Sequence, residues 1–242
     1  MRQSRIHTSH PLILAKNVEL AGPAGHYLTR VLRLSKGDRV TLFNGDGNDY
    51  SGEIVDIQAQ RVGVRITGVM NPGNESPLKI TLVQAICRGE RMDTALQKAT
   101  ELGVFCIQPL MSDRVGVRLD ESRQVKRVTH WQKVVISACE QSGRAVVPEV
   151  KKPLSISDWL AGAFESRRLV LDPFAENKLS GLLVEGDSIS ILVGPEGGFT
   201  NEEIKKVCAN GVLAVSLGPR VLRTESAGPA AIAVLQAKTG GM

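Results

Sequence analysis

The sequence predicts an α/β protein in two parts: a small β domain, then a larger domain whose parallel sheet carries a ligand site at the carboxyl ends of its strands. Three observations predict it. Residues before about 70 alternate apolar and polar positions between turn-rich segments, the period of half-buried strands. Asn71-Pro-Gly-Asn-Glu-Ser-Pro77 is dense in chain breakers and marks the boundary, giving a first domain of 1–72 and a second of 73–242. Beyond it, apolar strands alternate with helical periodicities, the pattern of βαβ units and a parallel sheet.

Within the first part, Arg39 to Phe43 alternates into the turn Asn44-Gly-Asp-Gly-Asn48, and Tyr50 to Ile57 and Val62 to Val69 follow as hairpin strands. A short helix from Gly25 to Leu34 interrupts them and carries Arg30 and Arg33; with Arg2 and Arg5 these form a candidate phosphate-contacting patch. Aromatic residues are scarce here, so contact with a nucleic-acid backbone is the better supported mode.

In the second part, Leu78 to Ile86 is a strongly apolar strand, Met92 to Leu102 a helix ended by Gly103, and Val104 to Leu110 the next strand. Arg88 and Arg91 sit on the connection at the strand's carboxyl end, either as anion ligands or as ordinary exposed arginines. A basic stretch, Arg114 to Arg127, leads into a long helix from Glu121 to Ser142 with Trp131, Val134, Val135 and Ala138 on its apolar stripe. Glu140-Gln-Ser-Gly-Arg144 closes that helix; a C-cap explains Gly143 but not the hydrogen-bonding side chains beside it. A helix over Leu154 to Phe164 and a strand over Arg168 to Leu171 follow, with Asp172-Pro173 turning at the same edge.

The C-terminal run is the most informative. Ile189 to Val193 is a buried strand emptying into Gly194-Pro-Glu-Gly-Gly198, and Thr200 with Glu203 forms a capping box that starts a helix stopped by Asn210-Gly211. Val212 to Leu217 repeats the strand, Gly218-Pro219-Arg220 the turn, and Ala227 to Lys238 the helix, so two strand-turn-helix units are expected back to back. In open α/β sheets ligands bind outside the carboxyl ends of the strands, where glycines let main-chain groups come close. Neither turn has the glycine spacing of a dinucleotide or triphosphate fingerprint, which leaves another adenosine-type ligand open. The alternative is that these turns are plain connectors.

Gly-Pro-Glu-Gly-Gly-Phe at 194–199 and Leu-Gly-Pro-Arg-Val-Leu-Arg-Thr-Glu at 217–225 closely resemble the paired signatures of the bacterial 16S ribosomal RNA (uracil-N3) methyltransferase family of the SPOUT superfamily. Arg-Val-Leu-Arg at 30–33, Gln-Lys-Ala-Thr-Glu-Leu-Gly at 97–103 and Glu-Gln-Ser-Gly-Arg at 140–144, followed by Val147-Pro148-Glu149, resemble further family motifs in the same order. One departure is Ser226, where the family frequently has Thr; the hydroxyl is kept.

The resemblance implies a PUA-like RNA-binding barrel before a SPOUT sheet with a C-terminal trefoil knot, and S-adenosylmethionine as methyl donor. It implies a donor cleft formed by Leu171, Gly194, Pro195, Glu196, Gly197, Gly198, Leu217, Gly218, Pro219 and Leu222. The acceptor would be N3 of a uridine in 16S ribosomal RNA within the small ribosomal subunit, and the protein a homodimer. Deprotonating N3 assigns Glu225 as base or orienter and Arg220 or Arg223 as anion stabiliser, unless Arg and Glu merely cap the helix start. Glu196 either faces the ligand or suits its turn. Arg2, Arg5, Arg30, Arg33, Arg88 and Arg91 are the expected RNA contacts. The reading from another class is an RNA-binding assembly protein without catalysis; a third keeps the enzyme and changes the acceptor to a ribose hydroxyl or another ring.

Composition sets the outer limits. Forty-two per cent of the 242 residues are hydrophobic, ordinary for a globular protein. Without a span-length apolar run or a secretory signal in the sequence, the expected setting is cytoplasmic, with no membrane partner. A net charge of +5 points to an anionic partner or to a solvated basic face, and residues 1–70 hold nine Lys and Arg against six Asp and Glu. Cys87, Cys106, Cys139 and Cys208 are far apart and the four histidines lack ligand spacing, so reduced thiols and no catalytic metal are expected.

Overall fold

The computed structural model describes residues 4–59, 61–114, 120–162 and 167–241. The chain divides into two compact units, Met1–Asn74 with Cys139–Val147, and Glu75–Ala138 with Pro148–Met242. The Glu140–Arg144 cluster belongs with the first unit.

The first unit is a five-stranded sheet of β1 (Arg5–His7), β2 (Asn17–Leu20), β3 (Arg39–Phe43), β4 (Asp49–Gln58) and β5 (Arg61–Met70), in the order β1-β3-β4-β5-β2. β1 runs parallel to β3 and the other pairs are antiparallel. The long β4–β5 hairpin shifts register twice, at Ser51/Gly52 and Ile54/Asp56, and such bulges bend a strand and increase its twist. Gly52 suits the close approach there, since a Cβ would clash with Cγ1 of Val64. Alternation buries Val40, Leu42, Ile54, Val62, Val64 and Ile66 on the inner face with Leu20 and Leu28. The expected helix starts earlier than predicted, as α1 (Gly22–His26) led by Pro23, and continues as a π-helical turn over Tyr27–Val31. β1 and β2 are too short to show a period, which is why the alternation missed them.

The Glu140 cluster is explained here. A carboxylate oxygen of Glu140 accepts from the amide of His7 at 3.0 Å, and the carbonyls of Cys139 and Arg144 accept from the Arg5 guanidinium at 2.7 and 3.2 Å. Burial, only partly offset by that amide and by Arg5, raises the Glu140 carboxyl above its ordinary range.

The second unit is a parallel sheet of β6 (Lys79–Ala85), β7 (Cys106–Met111), β8 (Glu149–Val150), β9 (Leu154–Ser155), β10 (Arg167–Leu171), β11 (Ser188–Val193) and β12 (Leu213–Val215). The order is β12-β10-β11-β6-β7-β8, with β9 also on β7. The pairings of the named strands are all parallel, which suits strands such as Ile189–Val193 that are buried throughout and apolar but for Ser190. Helices α2 (Arg91–Glu101), α3 (Glu121–Ser142), α4 (Ile156–Ala161), α5 (Asn201–Ala209) and α6 (Thr224–Thr239) connect and cover the strands. Ile156 and Trp159 of α4 and Val207 of α5 pack with Val83, Leu110, Val170 and Leu192 of the sheet. α6 packs on α2, β6 and β11. Gly228 permits that approach: a Cβ there would come within 3.0 Å of Cδ1 of Leu82.

Two expectations change. The strand-turn-helix units that begin with β11 and β12 do not have adjacent strands, because β10 lies between them. The segment predicted as a helix from Leu154 begins as β9, becomes helical at Ile156 under a Ser155 cap, and is described only to residue 162, so Phe164 lies outside the described residues. Part of the basic stretch from Arg114, residues 115–119, also lies outside them.

Candidate active site

Because the sheet is parallel, the segments leaving β10, β11 and β12 emerge at one edge. The chain passes from β10 to its neighbour β11 and then crosses to β12 on the far side of β10, a reversal of direction of the kind that opens a crevice in α/β sheets. A cavity of about 790 Å³ lies at this edge, within the range of small-molecule sites. Its walls combine apolar side chains of Leu171, Val193, Phe199, Val215 and Leu217 with the glycine turns.

The first turn is built to be narrow. The amide of Gly198 donates to the carbonyl of Pro195 at 2.9 Å, and Gly198 takes φ +68°. A Cβ on Gly194 would lie 3.1 Å from the Phe199 nitrogen, so a side chain there would force the main chain of the turn to give way. In the second turn Gly218 has φ +124°, and a Cβ there meets nothing within 4 Å. Below the turns, the Thr224 hydroxyl donates to the Gly194 carbonyl at 2.6 Å and accepts from Nε2 of Gln84 at 3.0 Å. Gln84 is fully buried and Thr224 nearly so, so the end of β6, the turn after β11 and the start of α6 share one buried polar strut. Cys87 lies beside it, its Sγ 3.4 Å from the Thr224 hydroxyl, and burial pushes its thiol up to about 11, which leaves it protonated and unreactive.

Of the residues expected in the cleft, Leu171, Gly194, Pro195, Glu196, Gly197, Gly198, Leu217, Gly218 and Leu222 line the cavity, and Pro219 does not. Arg220, Arg223 and Glu225 line it too. The helix-start alternative keeps part of its ground: α6 starts at Thr224 with Arg223 at the N-cap position and Glu225 in the first turn, where a carboxylate suits the helix dipole, although no side-chain cap hydrogen bond forms. Both arginines are exposed and make no ion pair among the described residues, whereas Oε2 of Glu225 is buried without a hydrogen-bond partner. Glu196 lines the cavity and also ties its turn to the connection after β6: its carboxylate accepts from the amide of Arg88 at 2.8 Å and pairs with Arg91 at 2.9 Å. Its partial burial alone would raise the carboxyl, but those hydrogen bonds and the Arg91 charge outweigh burial and hold it below the ordinary range.

The predicted basic patch is exposed only in part. Arg30 and Arg33 are exposed on the π-helical turn and just after it, Arg33 with φ +53°. Arg5 is corrected: its guanidinium pairs with Asp49 at 2.5 Å, stands 4.6 Å from the Phe43 ring centroid and is 9% exposed, so it braces the first unit. Arg2 lies outside the described residues. Reasoning from sequence missed Thr224 and Gln84, which lie in a motif and a strand with no hint of pairing 140 residues apart. It also missed Phe174, 90% exposed on the cavity rim, where Asp172-Pro173 had signalled only a turn. Among the described residues no cluster of three His, Cys, Asp or Glu could hold a metal ion, and no helix is long and apolar enough to cross a membrane.

Residues 74–236 match the family model for the RNA methyltransferase domain, and residues 20–67 that for the RNA methyltransferase PUA domain. The ribosomal RNA small subunit methyltransferase E of Buchnera aphidicola (from Schizaphis graminum) is 35% identical over 242 residues, covering 100% of this chain and 98% of the relative. The chain belongs to the ribosomal RNA small subunit methyltransferase E family. Among solved structures, the family member of Neisseria gonorrhoeae bound to S-adenosyl methionine superposes with a TM-score of 0.91 at 37% identity, with 98% of each chain covered. A Legionella pneumophila protein in complex with the cofactor SAM superposes at 0.94 with 40% identity, again covering 98% of each. The expected parallel α/β domain and small PUA-like sheet are therefore both present.

Proposed function

We propose that the chain transfers the methyl group of S-adenosylmethionine to N3 of a uridine in 16S ribosomal RNA. The observation that carries this reading is the cavity at the ends of β10, β11 and β12, walled by main chain at two glycine turns, in a chain that aligns end to end with proteins solved with that donor. The fit is physical: the volume suits an adenosyl ligand, the apolar walls suit a purine, and the narrow turns offer peptide groups to its edge. The donor supplies an electrophilic methyl on a sulfonium.

The chain's own residues do the rest. Main chain of Gly194–Gly198 and Leu217–Leu222, with Leu171, orients the donor. Thr224 and Gln84 hold the first turn to the end of β6 and the start of α6. Glu225, its Oε2 free to accept, takes the N3 proton, and the unpaired guanidiniums of Arg220 and Arg223 stabilise the uracil anion. N3 is occupied in a base pair, so the target is unpaired or flipped out. Arg30 and Arg33 contact phosphates on the first unit, as does Arg88 on the second. The trefoil threading of the C-terminal segment, a homodimer, a cytoplasmic setting and an acceptor within the small ribosomal subunit complete the reading.

The test is calorimetric titration of S-adenosylmethionine, then nucleoside mass mapping of treated 16S ribosomal RNA. Donor binding with one new N3-methyluridine is the expected result. A methylated ribose or another methylated ring overturns the acceptor assignment, and absence of donor binding overturns the enzyme.

A further inference from the structure

A second depression, of about 540 Å³, lies beside the donor cavity and is lined by Arg88, Gly89, Glu90, Arg91, Thr94 and Glu225. Arg91 and Glu225 line both spaces. The two differ in character. The larger has apolar walls and peptide edges; the smaller is a polar groove on the connection from β6 into α2. Arg91 is engaged with Glu196, but the Arg88 guanidinium is exposed and has no partner among the described residues, its backbone amide alone being used. At the shared wall stands the Glu225 carboxylate with its buried, unpartnered Oε2.

A transfer between two substrates requires both reacting atoms at one wall, approached from different sides, within about 3–3.5 Å. We propose that the groove of Arg88–Thr94 is the acceptor subsite: a pyrimidine nucleotide lies along it with a phosphate on Arg88, and its base enters over Glu225 to meet the donor. This rests on the methyl-transfer reading above and adds the side of approach. The step balances. Glu225 Oε2 takes the N3 proton, and the freed N3 pair forms the bond to the methyl carbon. The S–CH3 pair stays on the donor sulfur, which becomes a neutral thioether, and the carboxyl gives its proton to water.

Two variants test the groove without touching the donor cavity. Arg88→Ala removes the cation, and Thr94→Glu, on the exposed first turns of α2, places a like charge beside the phosphate. RNA affinity is measured without donor across a salt series, the acceptor KM and kcat with donor, and the donor Kd by calorimetry. The expected result is an acceptor KM and an RNA Kd each raised about tenfold in both variants at unchanged donor Kd, with the salt slope of Arg88→Ala lower by about one. Unchanged RNA affinity and KM in both variants overturn the groove as the acceptor subsite, and so does a weakened donor Kd in Arg88→Ala. A wild-type chain that binds RNA but no donor overturns the methyl-transfer reading instead.

Discussion

Thr224 carries more structural consequence than any other residue near the site, because one hydroxyl serves both the Gly194 carbonyl and the Gln84 amide. Thr224→Val leaves both groups buried without that partner, a cost on the order of 1–3 kcal/mol. A lower Tm and a donor Kd raised about tenfold are expected, with Thr224→Ser restoring both; a valine variant that binds donor normally would remove the strut from the mechanism. Glu225→Gln keeps the shape and loses the base, so kcat should fall by roughly 10²–10⁴ at an unchanged donor Kd. Glu196 gives a pH signature. Its folded carboxyl titrates below the ordinary value of 4.5, so its contribution is present above that value and is lost as pH falls through the folded one. The stability difference between wild type and Glu196→Gln, followed by denaturant melts, should therefore shrink towards acid; a difference that grows would reverse the assigned direction. Residues whose role follows from the chain beside them, such as Thr200 and Glu203 in the capping box, were legible in sequence. Gln84 and Thr224 were not, since their meaning comes from a contact that folding creates.

Elements were legible where a period or a breaker defines them. Helix α3 spans the predicted residues, and β4, β5, β6 and β11 lie within one or two residues of prediction, because α3, β4 and β5 are long enough to display a period and β6 and β11 are apolar runs bounded by chain breakers. The order of strands was not legible: nothing local tells β12 to cross to the far side of β10, and that crossing gives the site its third wall. The glycine turns can be tested against each other. In Gly194→Ala the new methyl meets main chain at 3.1 and 3.3 Å, whereas in Gly197→Ala it meets only the flexible Arg114 side chain at 3.4 Å. Donor affinity should therefore fall at least tenfold in the first variant while the second keeps the wild-type Tm; equal behaviour in calorimetry and melting would show that turn width does not matter.

Across the whole molecule, exposed arginines stand on both units, Arg30 and Arg33 on the first and Arg88, Arg220 and Arg223 on the second, where the cavity also lies. The composition pointed to an anionic partner, and the buried Arg5–Asp49 pair shows why a count of charges cannot say which arginines are available to it. Replacing Arg30 and Arg33 together by Ala should weaken RNA binding alike for all sequences and lower the salt slope by about two, leaving donor affinity intact. The account as a whole stands on the donor being gripped by main chain where β10, β11 and β12 end. A crystal structure of the chain with S-adenosylmethionine tests this most directly. The account predicts the adenine between Gly194–Gly198 and Leu217–Leu222, with the methyl towards Glu225; a donor seated outside that cavity would contradict it.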